Sequence, residues 1–248
     1  MARMTLDDLV AQLRAAYTDS LRAVALYGSA AGGEHHARHS DYNVLVVVRA
    51  LSLEAMRAAG AVARAWEEAG NPVPLTLTEA EWRSSVDVFA IEHADIKERH
   101  RVLFAADGFD LFRGINVSPR DLRQQLEYEA LGTLLRLRGR ILASGDDPKI
   151  RTGLLAASAS QVLVLFRALL RLSGEAPPSD NEALCRAAAA RAGFDAAPFV
   201  AVVAHRRGTE KLDRAGVGKV LAGYHEGLER VVAYLDTLDA SNTGSRDK

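Results

Sequence analysis

The chain has 248 residues, of which 48% are hydrophobic and 25% are charged, a composition that excludes wholesale disorder and collagen-like or low-complexity classes. Its formal charge is −1, from 31 basic and 32 acidic side chains. This near-neutral balance provides no overall field that would gather nucleic acid or anionic lipid, so neither is expected as a partner.

The first 105 residues combine short apolar runs with amphipathic helical segments. Residues 5–17 are predicted to form a helix with Thr5 as its N-cap, and residues 52–69 a second helix with Ser52 as its N-cap. Because the loop over 29–40 joins the first two strands and a helix makes the next connection, we predict a mixed sheet with helices packed on it. The strands are predicted over 21–28, 41–48, 73–78, 86–92 and 101–105, with a helical turn over 79–85.

From Ser118 onward the strand-like runs give way to long segments rich in alanine, leucine and arginine. Such segments predict a helical bundle. The predicted fold class is therefore α+β, with a mixed-sheet domain over 1–115, a helical bundle over 116–240 and a disordered tail over 241–248. The helices are predicted over 118–145, 147–174, 179–193, 195–207 and 213–238.

Four polar or small residues at the ends of the first two strands carry the chemistry. Gly28 and Ser29 close the first strand, where glycine allows close approach of a phosphate and serine adds a hydroxyl donor at a turn. Asp41 and Asn43 open the second strand, and strand alternation places both on one face. Two oxygen ligands on one face, beside a phosphate-binding turn, form half of a Mg²⁺ site.

The segments LYGS (26–29) and SDYN (40–43) resemble the signature of the DNA polymerase beta-like nucleotidyltransferase superfamily. That signature is a Gly-Gly or Gly-Ser turn, then two carboxylates in a Dx[DE] pattern, then a third carboxylate on a later strand. The chain most resembles small bacterial members, the aminoglycoside and minimal nucleotidyltransferases, which also place a helical bundle behind the catalytic domain. The resemblance covers residues 20–105 by motif and the remainder by architecture alone.

The resemblance implies a nucleotidyltransferase site that uses Mg²⁺ and a nucleoside triphosphate, and ATP is the expected nucleotide. Gly28 and Ser29 would bind the nucleotide, Asp41 and Glu92 would be catalytic, and Asp41, Asn43 and Glu92 would hold the metal. Asn43 stands where the signature has an acid. Its amide oxygen can bind Mg²⁺, but it brings no negative charge and cannot act as a base.

The third acid is open among three residues of one segment: Glu92, Asp87 and Asp95. On a strand over 86–92, Glu92 would share its face with the small residues Val88 and Ala90, which would leave room for a ligand. We therefore predict Glu92 and hold Asp87 second.

Three hypotheses for function follow from these residues. In the first, the protein transfers a nucleoside monophosphate to a hydroxyl of a small molecule or protein by in-line attack on the α-phosphate, with Glu92 accepting the proton. With Asn43 in place of an acid, this enzyme would be slow or would use metal differently. In the second, the chain is a noncatalytic nucleotide-binding or partner-binding relative, and in the third it is a helical scaffold with no nucleotide site. The sequence leaves the acceptor, the nucleotide preference and the existence of a homodimer open.

Other polar groups have simpler interpretations as well as functional ones. His35, His36 and His39 are interpreted as exposed loop residues in preference to zinc ligands, because no second ligand pair with zinc spacing follows. Lys97, Arg99, His100 and Arg101 form either a solvated turn or a contact to phosphate or acceptor. Cys185 is predicted to be a packed hydrophobe. With no signal peptide and no apolar run of about 20 residues, the protein is expected in the cytoplasm.

Overall fold

In the computed structural model, the chain divides into two compact units, Met1–Ser118 and Pro119–Lys248. The structure describes residues 4–28, 30–31 and 42–242. The first unit carries a sheet with helices on both faces, and the second is helical. The α+β class predicted from the sequence is confirmed.

The first unit is built on a four-stranded mixed sheet in the order β3-β2-β1-β4. β1 pairs antiparallel with both β2 and β4, whereas β2 pairs parallel with β3. The register sets Tyr27 opposite Asn43, so the end of β1 lies beside the beginning of β2. The strands are β1 (Leu21–Tyr27), β2 (Asn43–Val48), β3 (Leu75–Thr78) and β4 (His100–Ala105).

Helices cover both faces of this sheet. On one face, Leu9 of α1 and Trp66 of α2 pack against Val46 of β2; on the other, Trp82 of α3 and Ile96 of α4 pack against the alternate strand residues. α1 begins at the predicted cap, where the Thr5 hydroxyl accepts the Asp8 N–H and the Asp8 carboxylate accepts the Thr5 N–H. The helices are α1 (Leu6–Tyr17), α2 (Leu53–Glu68), α3 (Glu79–Ser84) and α4 (Ala90–Glu98).

The prediction of a strand over 86–92 is wrong. The segment forms a turn over 86–88, closed by N–H groups of Val88 and Phe89 that donate to the Ser85 carbonyl, and then enters α4. The alternating apolar pattern that suggested a strand is too short to show the helical spacing, which emerges only when the buried residues Ala90, His93 and Ile96 are taken together. Glu92 therefore does not share a strand face with Val88 and Ala90, as had been expected.

The second unit contains five helices among the described residues, which confirms the predicted helical bundle. Its centre is aromatic, with the Phe199 ring 5.1 Å from Phe166 and 4.4 Å from Tyr224. Cys185 is buried in this unit, and burial raises the pKa of its thiol to about 12, in keeping with a packed hydrophobe. The helices are α5 (Pro119–Ser144), α6 (Pro148–Leu172), α7 (Asn181–Ala192), α8 (Ala197–Arg207) and α9 (Val217–Asn242); residues 243–248 of the predicted tail lie outside the described residues.

Helix α6 is the most apolar helix of the second unit. By length and composition alone it could cross a membrane, and it is the one helix in the described part of the chain that meets this test. However, 61% of its most apolar window is buried inside the protein. A core helix of a helical unit passes the same test, so this result is weak evidence for a membrane span.

Two helical glycines of the second unit lead to predicted effects on stability of opposite sign. A methyl group added at Gly227 would lie 2.6 Å from Phe199 Cζ and 3.1 Å from Phe194 Cδ2, whereas one added at the exposed Gly153 of α6 would meet nothing within 4 Å. Gly227→Ala is expected to lower the free energy of unfolding by about 1–3 kcal/mol through overpacking. Gly153→Ala is expected to raise it by about 0.5–1 kcal/mol through helix propensity. Chemical denaturation of both variants checks the pair, and equal shifts would contradict the described packing.

Candidate functional site

The end of β1 forms a tight turn that requires glycine. Gly28 is buried and has a φ of 78°, a left-handed conformation that side-chain-bearing residues rarely adopt. Its N–H donates to the Arg99 carbonyl at 3.1 Å, and its own carbonyl accepts the Ala31 N–H at 3.1 Å. Ser29, the predicted partner of Gly28 in nucleotide binding, lies outside the described residues.

Asn43 lies next to this turn. It is the first residue of β2, it is half-buried, and a Cβ built on Gly28 would come within 3.5 Å of its Nδ2 atom. The structure thus brings together two of the predicted site residues, and the missing side chain of Gly28 leaves open the space beside the Asn43 amide. Asp41, the predicted metal ligand and catalytic acid, lies outside the described residues.

Two of the three candidate third acids come from a helix. Glu92 is exposed in the first turn of α4, and Asp95 follows one turn later with only 13% of its side chain exposed. Burial, followed by the negative charges of Asp95 and Glu92, raises the pKa of the Tyr27 phenol. Since Tyr27 is paired with Asn43, the two carboxylates of α4 act on the same end of β1 as the Gly28 turn.

The remaining candidate and the neighbouring strand differ from the family signature. Asp87 is exposed in the turn over 86–88, ahead of α4. The strand that pairs with β2 is β3, and its sequence, LTLT over Leu75–Thr78, contains no carboxylate. Carboxylates on the described side of this site are therefore supplied by α4 and not by a strand.

Asn71 is a buried polar residue that is not among the predicted site residues. Its side chain is 5% exposed, and its Oδ1 atom accepts the Tyr42 N–H at 3.2 Å, which fixes the backbone immediately before Asn43. The Tyr42 ring also packs near Trp66, with ring centroids 6.1 Å apart. Asn71 lies between a glycine and a proline, a pattern that predicts the end of a helix. That pattern gives no sign of the contact between Asn71 and the backbone that leads into β2.

The basic residues near 100 do not form one patch. Lys97 Nζ donates to the Ile115 carbonyl at 2.9 Å, and Arg101 is exposed on β4. The ring of His100 packs on Phe112, with centroids 4.2 Å apart. Only Arg99 combines a largely buried side chain with a contact to the Gly28 turn.

The donor chemistry fits Mg²⁺. Asn43 and the two α4 carboxylates offer oxygen atoms, which this ion prefers. Within residues 4–28, 30–31 and 42–242, no group of three His, Cys, Asp or Glu side chains is close enough to hold a metal ion. The predicted ligand Asp41 and the histidines weighed as zinc ligands, His35, His36 and His39, lie outside that part of the chain.

Comparison with known proteins shows a structural likeness. No family model and no curated protein matches the sequence. The chain is similar to the crystal structure of a spectinomycin adenyltransferase from Enterococcus faecialis, determined with ATP and spectinomycin, at a TM-score of 0.61 and 12% sequence identity. The match covers 93% of this chain and 98% of that chain. At this identity the likeness shows a shared fold, one that an adenyltransferase has.

Proposed function

We propose that this protein is a nucleotidyltransferase that transfers a nucleoside monophosphate to a hydroxyl group of a small molecule, and we expect the transferred group to be AMP. The observation that carries the proposal is the left-handed turn at Gly28, which lies against Asn43 at the head of β2. These two residues belong to the two halves of the superfamily signature. The shared fold with an enzyme whose structure holds ATP and spectinomycin supports the same function.

In this proposal the chain binds and orients the nucleotide. The turn at Gly28 leaves space for a phosphate beside Asn43, and Ser29 adds a hydroxyl donor. Asp41, Asn43 and Glu92 supply the oxygen ligands for Mg²⁺, which when bound neutralises charge on the phosphate oxygens. Asn71 holds the strand in place through the Tyr42 N–H.

The proposed reaction is an in-line displacement at the α-phosphorus. The acceptor oxygen forms a bond to that phosphorus, the bond to the bridging oxygen breaks, and pyrophosphate leaves with the electron pair. Glu92, which is exposed in the first turn of α4, takes the acceptor's hydroxyl proton. The products are the nucleotidylated acceptor and pyrophosphate.

Two observations favour a second function, noncatalytic binding of a nucleotide or a protein partner. Asn43 replaces an acid of the signature, and β3, which neighbours β2, has no carboxylate. Both differences reduce the negative charge that would hold the metal ion. A chain remodelled in this way could keep nucleotide affinity while losing turnover.

A two-stage experiment separates these functions. The first stage is calorimetric titration with ATP, GTP, CTP and UTP in the presence of Mg²⁺, and we expect ATP to bind. The second stage measures pyrophosphate release with Mg²⁺-ATP and a panel of aminocyclitol and aminoglycoside acceptors that includes spectinomycin. Acceptor-dependent release supports nucleotidyl transfer. Binding without release supports the noncatalytic function, and the absence of binding by all four nucleotides would refute both nucleotidyl transfer and noncatalytic nucleotide binding.

A further inference from the structure

Arg99 is attached to the phosphate-binding turn through its backbone. It lies between α4 and β4, and its carbonyl accepts the Gly28 N–H at 3.1 Å. Its side chain is only 13% exposed, as is that of its partner Asp95. A cationic residue with a largely buried side chain is therefore attached by its backbone to the turn that the proposed nucleotide would contact.

The hydrogen-bond donors of the Arg99 guanidinium are only partly satisfied among the described residues. Within residues 4–28, 30–31 and 42–242, its ion pair joins Nη2 to Asp95 Oδ2 at 3.5 Å, a long contact, whereas the corresponding pair between Arg123 and Glu127 is 2.7 Å. The Nε and Nη1 atoms of Arg99 are buried and have no hydrogen-bond partner in the described part of the chain. A buried donor without a partner costs about 1–3 kcal/mol. Groups of this kind in a folded protein call for an explanation, and a missing anionic ligand is one.

We infer that Arg99 donates hydrogen bonds to the polyphosphate of the bound nucleotide and that Asp95 competes with the phosphate for it. This inference rests on the proposed function, because it places the nucleotide at the Gly28 turn. A guanidinium presents a planar set of donors that matches phosphate oxygens, and it keeps its charge at any physiological pH. The long contact to Asp95 is exchanged for stronger contacts to phosphate.

The charge balance of the site supports this role. Asn43 carries no charge where the signature has an acid, and β3 has no carboxylate, so fewer anionic groups are available to retain metal ions. A polyphosphate then depends more strongly on a cationic side chain of the protein for neutralisation. Among the four basic residues of the segment around 100, only Arg99 bonds to the turn through its backbone, and its Nε and Nη1 atoms are buried.

The test measures binding of inorganic triphosphate by calorimetry in EDTA, so that metal ligation does not contribute. Arg99→Gln is expected to weaken binding by about 10- to 100-fold, the loss of hydrogen bonds to a charged group. The affinity of Arg99→Lys should fall between those of wild type and Arg99→Gln, because lysine keeps the positive charge but lacks the planar set of donors. Asp95→Asn should tighten binding several-fold, since it removes the competitor. Arg101→Gln, an exposed residue of β4 two positions away, is the matched control and should change affinity less than twofold.

The opposite signs at Arg99 and Asp95 make the inference falsifiable. A purely structural pair predicts that both variants lower the melting temperature while triphosphate affinity stays at the wild-type value, and that result would overturn it. Wild-type protein that binds Mg²⁺-ATP but no triphosphate in EDTA would also overturn it. If Arg99→Gln fails to fold, the direction of change in Asp95→Asn and Arg99→Lys decides. Failure of nucleotidyl transfer itself is a separate result, seen as wild-type binding without pyrophosphate release.

Discussion

Replacing Asn43 with aspartate is expected to raise the rate of pyrophosphate release, at a fixed concentration of Mg²⁺, by at least about tenfold. The residue begins β2 beside the Gly28 turn, so a carboxylate there would lie where the signature places the second acid. It would add a negative charge and a stronger ligand for the metal ion. Changes in the outer partners of metal ligands alter affinity or activity by about 10–100-fold, and a ligand itself should have at least that effect.

The measurement combines kcat/KM for Mg²⁺-ATP with a titration of Mg²⁺. Asn43→Asp should show a higher kcat and half-maximal activity at a lower Mg²⁺ concentration. Asn116→Asp, at an exposed position of the first unit, makes the same change in net charge outside the site and serves as the control. If Asn43→Asp gains neither metal affinity nor turnover, the protein has been remodelled for another task and the noncatalytic function is favoured.

The strands that bear the signature could be predicted from the sequence because their signals are local. Residues 21–28 and 41–48 were predicted as strands, and the structure has β1 and β2 at Leu21–Tyr27 and Asn43–Val48. The first is an apolar run that ends at a glycine, and the second is rich in valine. Both patterns indicate a buried strand. The positive φ of Gly28 agrees with the prediction of a tight turn at that residue.

The rest of the site depends on contacts between residues far apart in the chain. Sheet order alone determines that β3 is the strand beside β2, and local sequence does not specify sheet order. The Gly28 N–H donates to the Arg99 carbonyl, and the Tyr42 N–H donates to the Asn71 side chain. Each bond joins residues far apart in the chain, so no local sequence pattern predicts it. The misassigned strand over 86–92 shows the same limit, because its seven residues do not distinguish a strand from the start of a helix that packs its buried side on the sheet.

Glu92→Gln is expected to lower kcat at saturating Mg²⁺ by about 10²–10⁴-fold, the usual contribution of a general base. Glu92 is exposed in the first turn of α4, and its charge acts on Tyr27 at the site end of β1. Glutamine keeps the size and polarity of the side chain but cannot accept a proton at neutral pH.

The same assay on Asp87→Asn and Asp95→Asn separates the three acids. Asp87 is exposed in the turn ahead of α4, so its amide is expected to keep kcat within about twofold of wild type. Asp95 is held by Arg99, so its amide should act mainly on nucleotide affinity. A large loss of kcat in Asp87→Asn together with normal turnover in Glu92→Gln would instead make Asp87 the third acid. In that case the turn over 86–88, and not α4, would supply the base, and the exposed carboxylate of Glu92 would be a solvated helix residue.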